Sequence, residues 1–142
     1  MTSLRTLIAA SFADVPTVST SELAAELASS RKPLLLDARS AAEYAVSHLP
    51  GARHAPPEDE ARLFRELPRD TPIVVYCSVG VRSARLARAL SAAGAERVFN
   101  LRGGLFDWAN RGLPLVGPAG PAQRVHGYDA EWAVLLDARL RA

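Results

Sequence analysis

Two continuous apolar runs constrain this chain more than any other feature: "PLLLD" (Pro33–Asp37) and "PIVVYC" (Pro72–Cys77). Each opens on a proline, has the length of a strand and closes on a polar residue. A strand with one wet face alternates apolar and polar residues. These runs do not alternate, so both of their faces are expected to be covered, as in the parallel strands of an α/β sheet. "RVFNL" (Arg97–Leu101) is a third strand candidate, with "TVS" at Val18 and "ARHAP" at Ala52 as weaker fourth and fifth ones.

Helical patterns lie between these runs. "STSELAAELASS" opens with the Ser19…Glu22 spacing of a capping box and sets Leu23 and Leu27 four apart. "SAAEYAVSH" follows the first strong strand, and "EDEARLFREL" is read with Leu63, Phe64 and Leu67 on one face. "RSARLARALSAAG" is read with Leu86, Ala89 and Leu90 inward and Gly94 as its stop, and "GGLFDWANRG" as a short helix between glycines. Strand and helix alternate throughout, which specifies an α/β domain with a mostly parallel sheet. Three segments are expected: a helical N-terminal stretch over 1–17, the α/β domain over 18–116, and a tail over 117–142. In the tail, "GPAGPAQ" reads as a turn-rich connector. "YDAEWAVLLDARLRA" then reads as an amphipathic helix packed on the domain, with Trp132, Leu135, Leu136 and Leu140 on one stripe.

With 142 residues, 49% of them apolar, the chain suffices for one core, and a net charge of +2 argues against a nucleic-acid partner. A single cysteine, Cys77, excludes an internal disulfide and a thiolate metal cluster. His54 and His126 are too isolated to hold a metal. The apolar patch Leu7–Phe12 is too short to span a membrane, and "ASFAD" has only a faint likeness to a cleavage site. The expectation is a cytoplasmic protein with no metal, no cofactor and no membrane partner.

Cys77 stands where a strand gives way to a helix, at the end of the sheet where α/β proteins bind ligands. The loop Cys77-Ser78-Val79-Gly80-Val81-Arg82 then aims backbone N–H groups and a helix N-terminus inward. Gly80 permits the turn, Arg82 adds a fixed cation, and Ser83 is placed to cap the helix or donate to the sulfur. Each of these favours thiolate over thiol at Cys77. Alone, a buried structural cysteine would be the simpler account; the cysteine, glycine and arginine together at this junction point to chemistry instead.

These residues resemble a rhodanese (thiosulfate sulfurtransferase) domain. "LLLDARSAAEYAVSHLPGA" is similar to the family's early signature, and "VVYCSVGVRSARLARALSAAGAERVFNLRGGLFDWANRGLPL" to its cysteine loop, helix, strand and closing glycines. The resemblance covers roughly Val18 to Val116. It implies a three-layer fold, a five-stranded parallel sheet with helices on both faces, and a Cys77 that accepts a sulfane sulfur as a persulfide. Ser47 departs from the pattern, standing where the family usually has glycine; it is tolerable if its φ stays negative.

The implied activity is a sulfurtransferase with thiosulfate or a low-molecular-weight persulfide as donor and cyanide, a thiol or a protein cysteine as acceptor. A persulfide carrier or a redox-sensing module acting with a partner protein is the alternative. Related phosphatases and arsenate reductases carry one more residue between cysteine and arginine, so the six-residue loop here ranks them lower. Ser78, Val79, Gly80, Val81, Arg82 and Ser83 are expected to form the anion cradle, with Val79 and Val81 as an apolar rim. Asp37, Arg39 and Glu43 are expected to support it. Asp37 lies at the sheet end that carries Cys77, to orient the loop or cap the next helix, and Arg39 and Glu43 have the four-residue spacing of an ion pair. His48 is read as structural, and Trp108 and Tyr44 as core.

Overall fold

Both apolar runs become central strands. The computed structural model describes residues 4–128, 133 and 135–142. In it β2 (Leu34–Asp37) and β4 (Ile73–Tyr76) pair in parallel, Asp37 opposite Tyr76. Outside them lie β5 (Val98–Leu101), β1 (Thr17–Val18) and β3 (Arg53–His54), giving a five-stranded sheet in the order β1-β5-β4-β2-β3. Every pairing in it is parallel.

Side chains of β4 alternate between two cores, as the pleat requires. Val74 and Tyr76 enter one with Leu23, Leu105 and Trp108. Ile73 and Val75 enter the other with Leu63, Leu86 and Leu90. The helices that supply those residues therefore cover opposite faces: α2 (Thr20–Leu27) and α6 (Gly104–Asn110) on one, α4 (Glu60–Glu66) and α5 (Val81–Ala92) on the other. This is the three-layer arrangement expected from the sequence. An N-terminal helix, α1 (Leu4–Ser11), and α3 (Ala41–Val46) complete the set. Among the described residues no helix is long and apolar enough to cross a membrane.

Ser19 and Glu22 form the capping box that their spacing predicts. Some inward assignments differ. Phe64 is 39% exposed, because α4 turns only Leu63 fully into the core. In α5 Ala87 is buried rather than Ala89, as the buried set follows Ser83, Ala84, Leu86, Ala87 and Leu90. Beyond the last helix, the expected connector is a hairpin: β6 (Leu115–Gly117) pairs antiparallel with β7 (Gly120–Ala122). The expected C-terminal helix lies partly outside the described residues, Trp132 among them. Within those described, Leu136 and Leu140 are buried but Leu135 is exposed, and Ala138–Leu140 forms a single tight turn. The extended ψ of 135° at Asp137 interrupts any continuous stripe there.

Behind the sheet end, Asp37 and Arg39 form a fully buried ion pair, 2.7 Å between Oδ2 and Nη2. Asp37 also accepts from the Arg39 backbone N–H and from Nε, and Arg39 donates onward to the Ser47 carbonyl at 2.6 Å. The pair thus ties the end of β2 to the end of α3. Breaking one half of such a pair strands the other charge away from water. Asp37→Asn is therefore expected to lower the free energy of unfolding by about 3–5 kcal/mol in urea titrations; a loss below about 1 kcal/mol would contradict this reading.

Candidate functional site

Cys77 follows β4 directly and is 1% exposed. The loop after it is tight: Gly80, at φ 117°, is the residue before α5 and turns its N–H back onto the Cys77 Sγ at 3.1 Å. A side chain is disfavoured at that φ, which is why glycine is required here. Helix α5 begins at Val81, so Arg82 and Ser83 lie in its first turn rather than in the loop.

Ser83 places its hydroxyl 3.3 Å from Sγ. The same hydroxyl donates to Asn100 Oδ1 at 2.6 Å, and Asn100 Nδ2 donates to the Gly80 carbonyl at 3.1 Å. The carbonyl can only accept, which fixes the orientation of the amide. Asn100 thus spans the loop and the helix start from β5. It escaped the sequence reading because an asparagine inside an apolar run carries no local signal of its partner.

Arg82 is clamped by three hydrogen bonds. Glu43 takes Nη1 at 2.7 Å and Nη2 at 2.9 Å, a bidentate pair, and Nη2 also donates to Ser78 Oγ at 3.0 Å. Ser78 in turn donates to Glu43 at 3.1 Å. The four-residue spacing pairs Arg39 with Glu43, but the structure separates them: Arg39 is held by Asp37, and Glu43 reaches across to α5. The overlooked cue is Ser40…Glu43, the same spacing as Ser19…Glu22; it forms a second capping box that aims Glu43 at the loop. Burial alone would raise the Glu43 carboxyl. Hydrogen bonds from Arg82 and Ser40, with the charge of Arg82, outweigh it and hold the group at about 2. Arg82 is held above its ordinary value: burial opposes this, and the Glu43 hydrogen bond and the charges of Cys77 and Glu43 prevail.

The loop is also held from α6. Leu105 N–H donates to the Cys77 carbonyl at 2.8 Å and Phe106 N–H to that of Ser78 at 3.1 Å. Gly104, at φ 61°, permits this approach; a Cβ there would lie 2.5 Å from the Ser78 oxygen and 2.7 Å from that of Cys77.

A cavity of about 160 Å³ opens over the cysteine. Val79 and Val81 line it as expected, beside Arg82, while Arg85 and Tyr128, neither expected from sequence, complete it. The remaining sequence candidates lie elsewhere. Asp37 and Arg39 are sealed behind the sheet end and tie it to the end of α3. His48 bonds to the Tyr44 carbonyl at 3.0 Å, and Tyr44 stacks on it with ring centroids 3.8 Å apart. Trp108 is buried and donates to the Pro114 carbonyl at 2.8 Å.

Comparison with known proteins bears on what this geometry does. The family model of the rhodanese-like domain matches residues 19–111. A sulfurtransferase of Allochromatium vinosum is 38% identical over 103 residues, 72% of this chain and 96% of its own. The thiosulfate sulfurtransferase GlpE of Actinobacillus pleuropneumoniae is 35% identical over 90 residues, covering 63% of this chain and 83% of its own. Among solved structures, a rhodanese-like domain from Anabaena superposes with a TM-score of 0.67 at 30% identity, covering 72% of this chain and 79% of that one.

Two outcomes test the site's construction. A carboxyl lowered from 4.5 to about 2 on folding contributes fully above pH 4.5 and is lost as pH falls toward 2, on the order of 3 kcal/mol. Glu43→Gln should flatten that part of the stability–pH curve, measured by urea unfolding; an unchanged slope would contradict the assignment. Gly104→Ala should cost at least about 2 kcal/mol and slow alkylation of Cys77 by moving the loop; an unaltered rate would show that the α6 contact does not hold it.

Proposed function

The chain belongs to the rhodanese-like domain family, and from that premise we propose that it is a sulfurtransferase working through a persulfide on Cys77. The observation that carries this reading is the setting of Sγ: one buried thiol, a backbone N–H at 3.1 Å, a hydroxyl at 3.3 Å and a small cavity above.

In the proposed reaction the Cys77 thiolate attacks the outer sulfur of thiosulfate or of a small persulfide. The new Sγ–S bond forms as the donor's S–S bond breaks, and sulfite (or the donor thiolate) leaves with the electron pair. The negative charge now rests on the terminal sulfur of Cys77. The Gly80 N–H is suited to stabilise negative charge on the cysteine sulfur before transfer, while the Ser83 hydroxyl hydrogen is held by Asn100. An acceptor nucleophile, cyanide or a thiol, then attacks the terminal sulfur and Cys77 leaves as thiolate. No net oxidation occurs at the cysteine and no cofactor enters these steps.

Glu43 and Ser78 support this chemistry by fixing Arg82, whose charge lies close to Cys77. Small size at the mouth favours low-molecular-weight donors and acceptors over a protein cysteine. Val79 and Gly80 shape the loop without contributing a titratable group. The short spacing from Cys77 to Arg82 suits one sulfur atom better than a phosphate or arsenate.

With thiosulfate and cyanide the protein is expected to form thiocyanate with ping-pong kinetics, and Cys77→Ser to form none. Thiocyanate production that survives in Cys77→Ser would overturn the assignment.

A further inference from the structure

The family match ends at residue 111, yet a residue beyond it lines the Cys77 cavity. Tyr128 lies with its ring 4.5 Å from the Arg82 guanidinium carbon. Its φ of 70° makes it the one non-glycine residue with positive φ among those described. A bulky side chain in that region is strained, and such strain collects at ligand clamps and active sites. The segment that carries it is anchored: Val125 is fully buried, the Tyr128 N–H donates to His126 Nδ1 at 3.0 Å, and Ser47 Oγ donates to the Arg124 carbonyl at 2.7 Å. Ser47 is the position that departs from the family pattern. Its φ of −168° is extended backbone open to any residue, and its hydroxyl secures this tail.

Charge at the mouth is uneven. Glu43 neutralises Arg82 on one edge and Tyr128 covers it on another. Arg85, one turn further along α5, is exposed, lines the same cavity and enters none of the ion pairs among the described residues. An incoming donor therefore meets one uncompensated cation, Arg85, beside one aromatic ring.

We propose that Tyr128 and Arg85 form a donor-selecting rim. Arg85 docks a sulfonate or carboxylate carried beside the donor's reactive sulfur, and Tyr128 restricts the site to small molecules. This rests on the sulfurtransferase reading for its meaning but not for its test. Cys77 is the only cysteine, so its alkylation reports on the mouth whether or not sulfur is transferred.

The test compares iodoacetate, an anion, with neutral iodoacetamide; the thiolate fraction cancels in their rate ratio. Arg85→Gln should lower that ratio about three- to tenfold, while Arg85→Lys keeps most of it. Tyr128→Asn, which tolerates the positive φ, should raise the rate with a bulky maleimide relative to iodoacetamide by about tenfold, a change worth about 1.4 kcal/mol. Ser47→Gly, untying the tail, should move it in the same direction. A ratio unchanged in Arg85→Gln, or size selectivity unchanged in both Tyr128→Asn and Ser47→Gly, overturns the rim. Rim effects as expected in a protein that makes no thiocyanate would overturn the sulfurtransferase reading and leave the rim intact.

Discussion

Glu43 accepts hydrogen bonds from Ser40 N–H and Oγ–H, from Ser78 Oγ–H, and from both terminal nitrogens of Arg82. Its side chain is 2% exposed, so each of these bonds is made away from bulk water. A carboxylate in that position is tolerable because its charge is matched and its lone pairs are used. The consequence reaches the cysteine: with Arg82 clamped, the first turn of α5 cannot swing, and Ser83 stays within reach of Sγ. The cation then acts as a fixed part of the loop wall and is not free to chase a ligand.

The cradle depends on three elements beside its own loop. Capping at the start of α3 aims Glu43, Asn100 from β5 spans Gly80 and Ser83, and the first turn of α6 binds two loop carbonyls. None of the three is adjacent to Cys77 in sequence. Parallel strand order brings them together, because β4 lies between β2, which leads into α3, and β5, which leads into α6. The ends of three neighbouring strands thus meet at one thiol.

What could be read in the sequence was what repeats locally. Unbroken apolar runs gave the central strands because both faces of the sheet are covered, and Ser19…Glu22 gave a helix start because capping is a three-residue affair. The cysteine and glycine were legible as a strand-to-helix loop for the same reason, although Arg82 falls in the first turn of α5. Partners across the sheet were not. Arg39 and Glu43 have helical spacing, but Arg39 precedes α3 and turns back to Asp37, so the spacing never becomes a shared face. Asn100 looks like an interruption of a strand until the loop it spans is in place. Tyr128 and Arg85 are remote or exposed, and only tertiary structure sets them at the same mouth.

In the proposed reaction Cys77 holds a sulfur atom between two half-reactions. This is tested most directly by the intact mass of the reduced protein after thiosulfate alone, with no acceptor present. The account predicts a gain of one sulfur that a cyanide chase removes, and no gain in the protein with serine at position 77. A mass that stays unchanged with thiosulfate and with a small persulfide would contradict it.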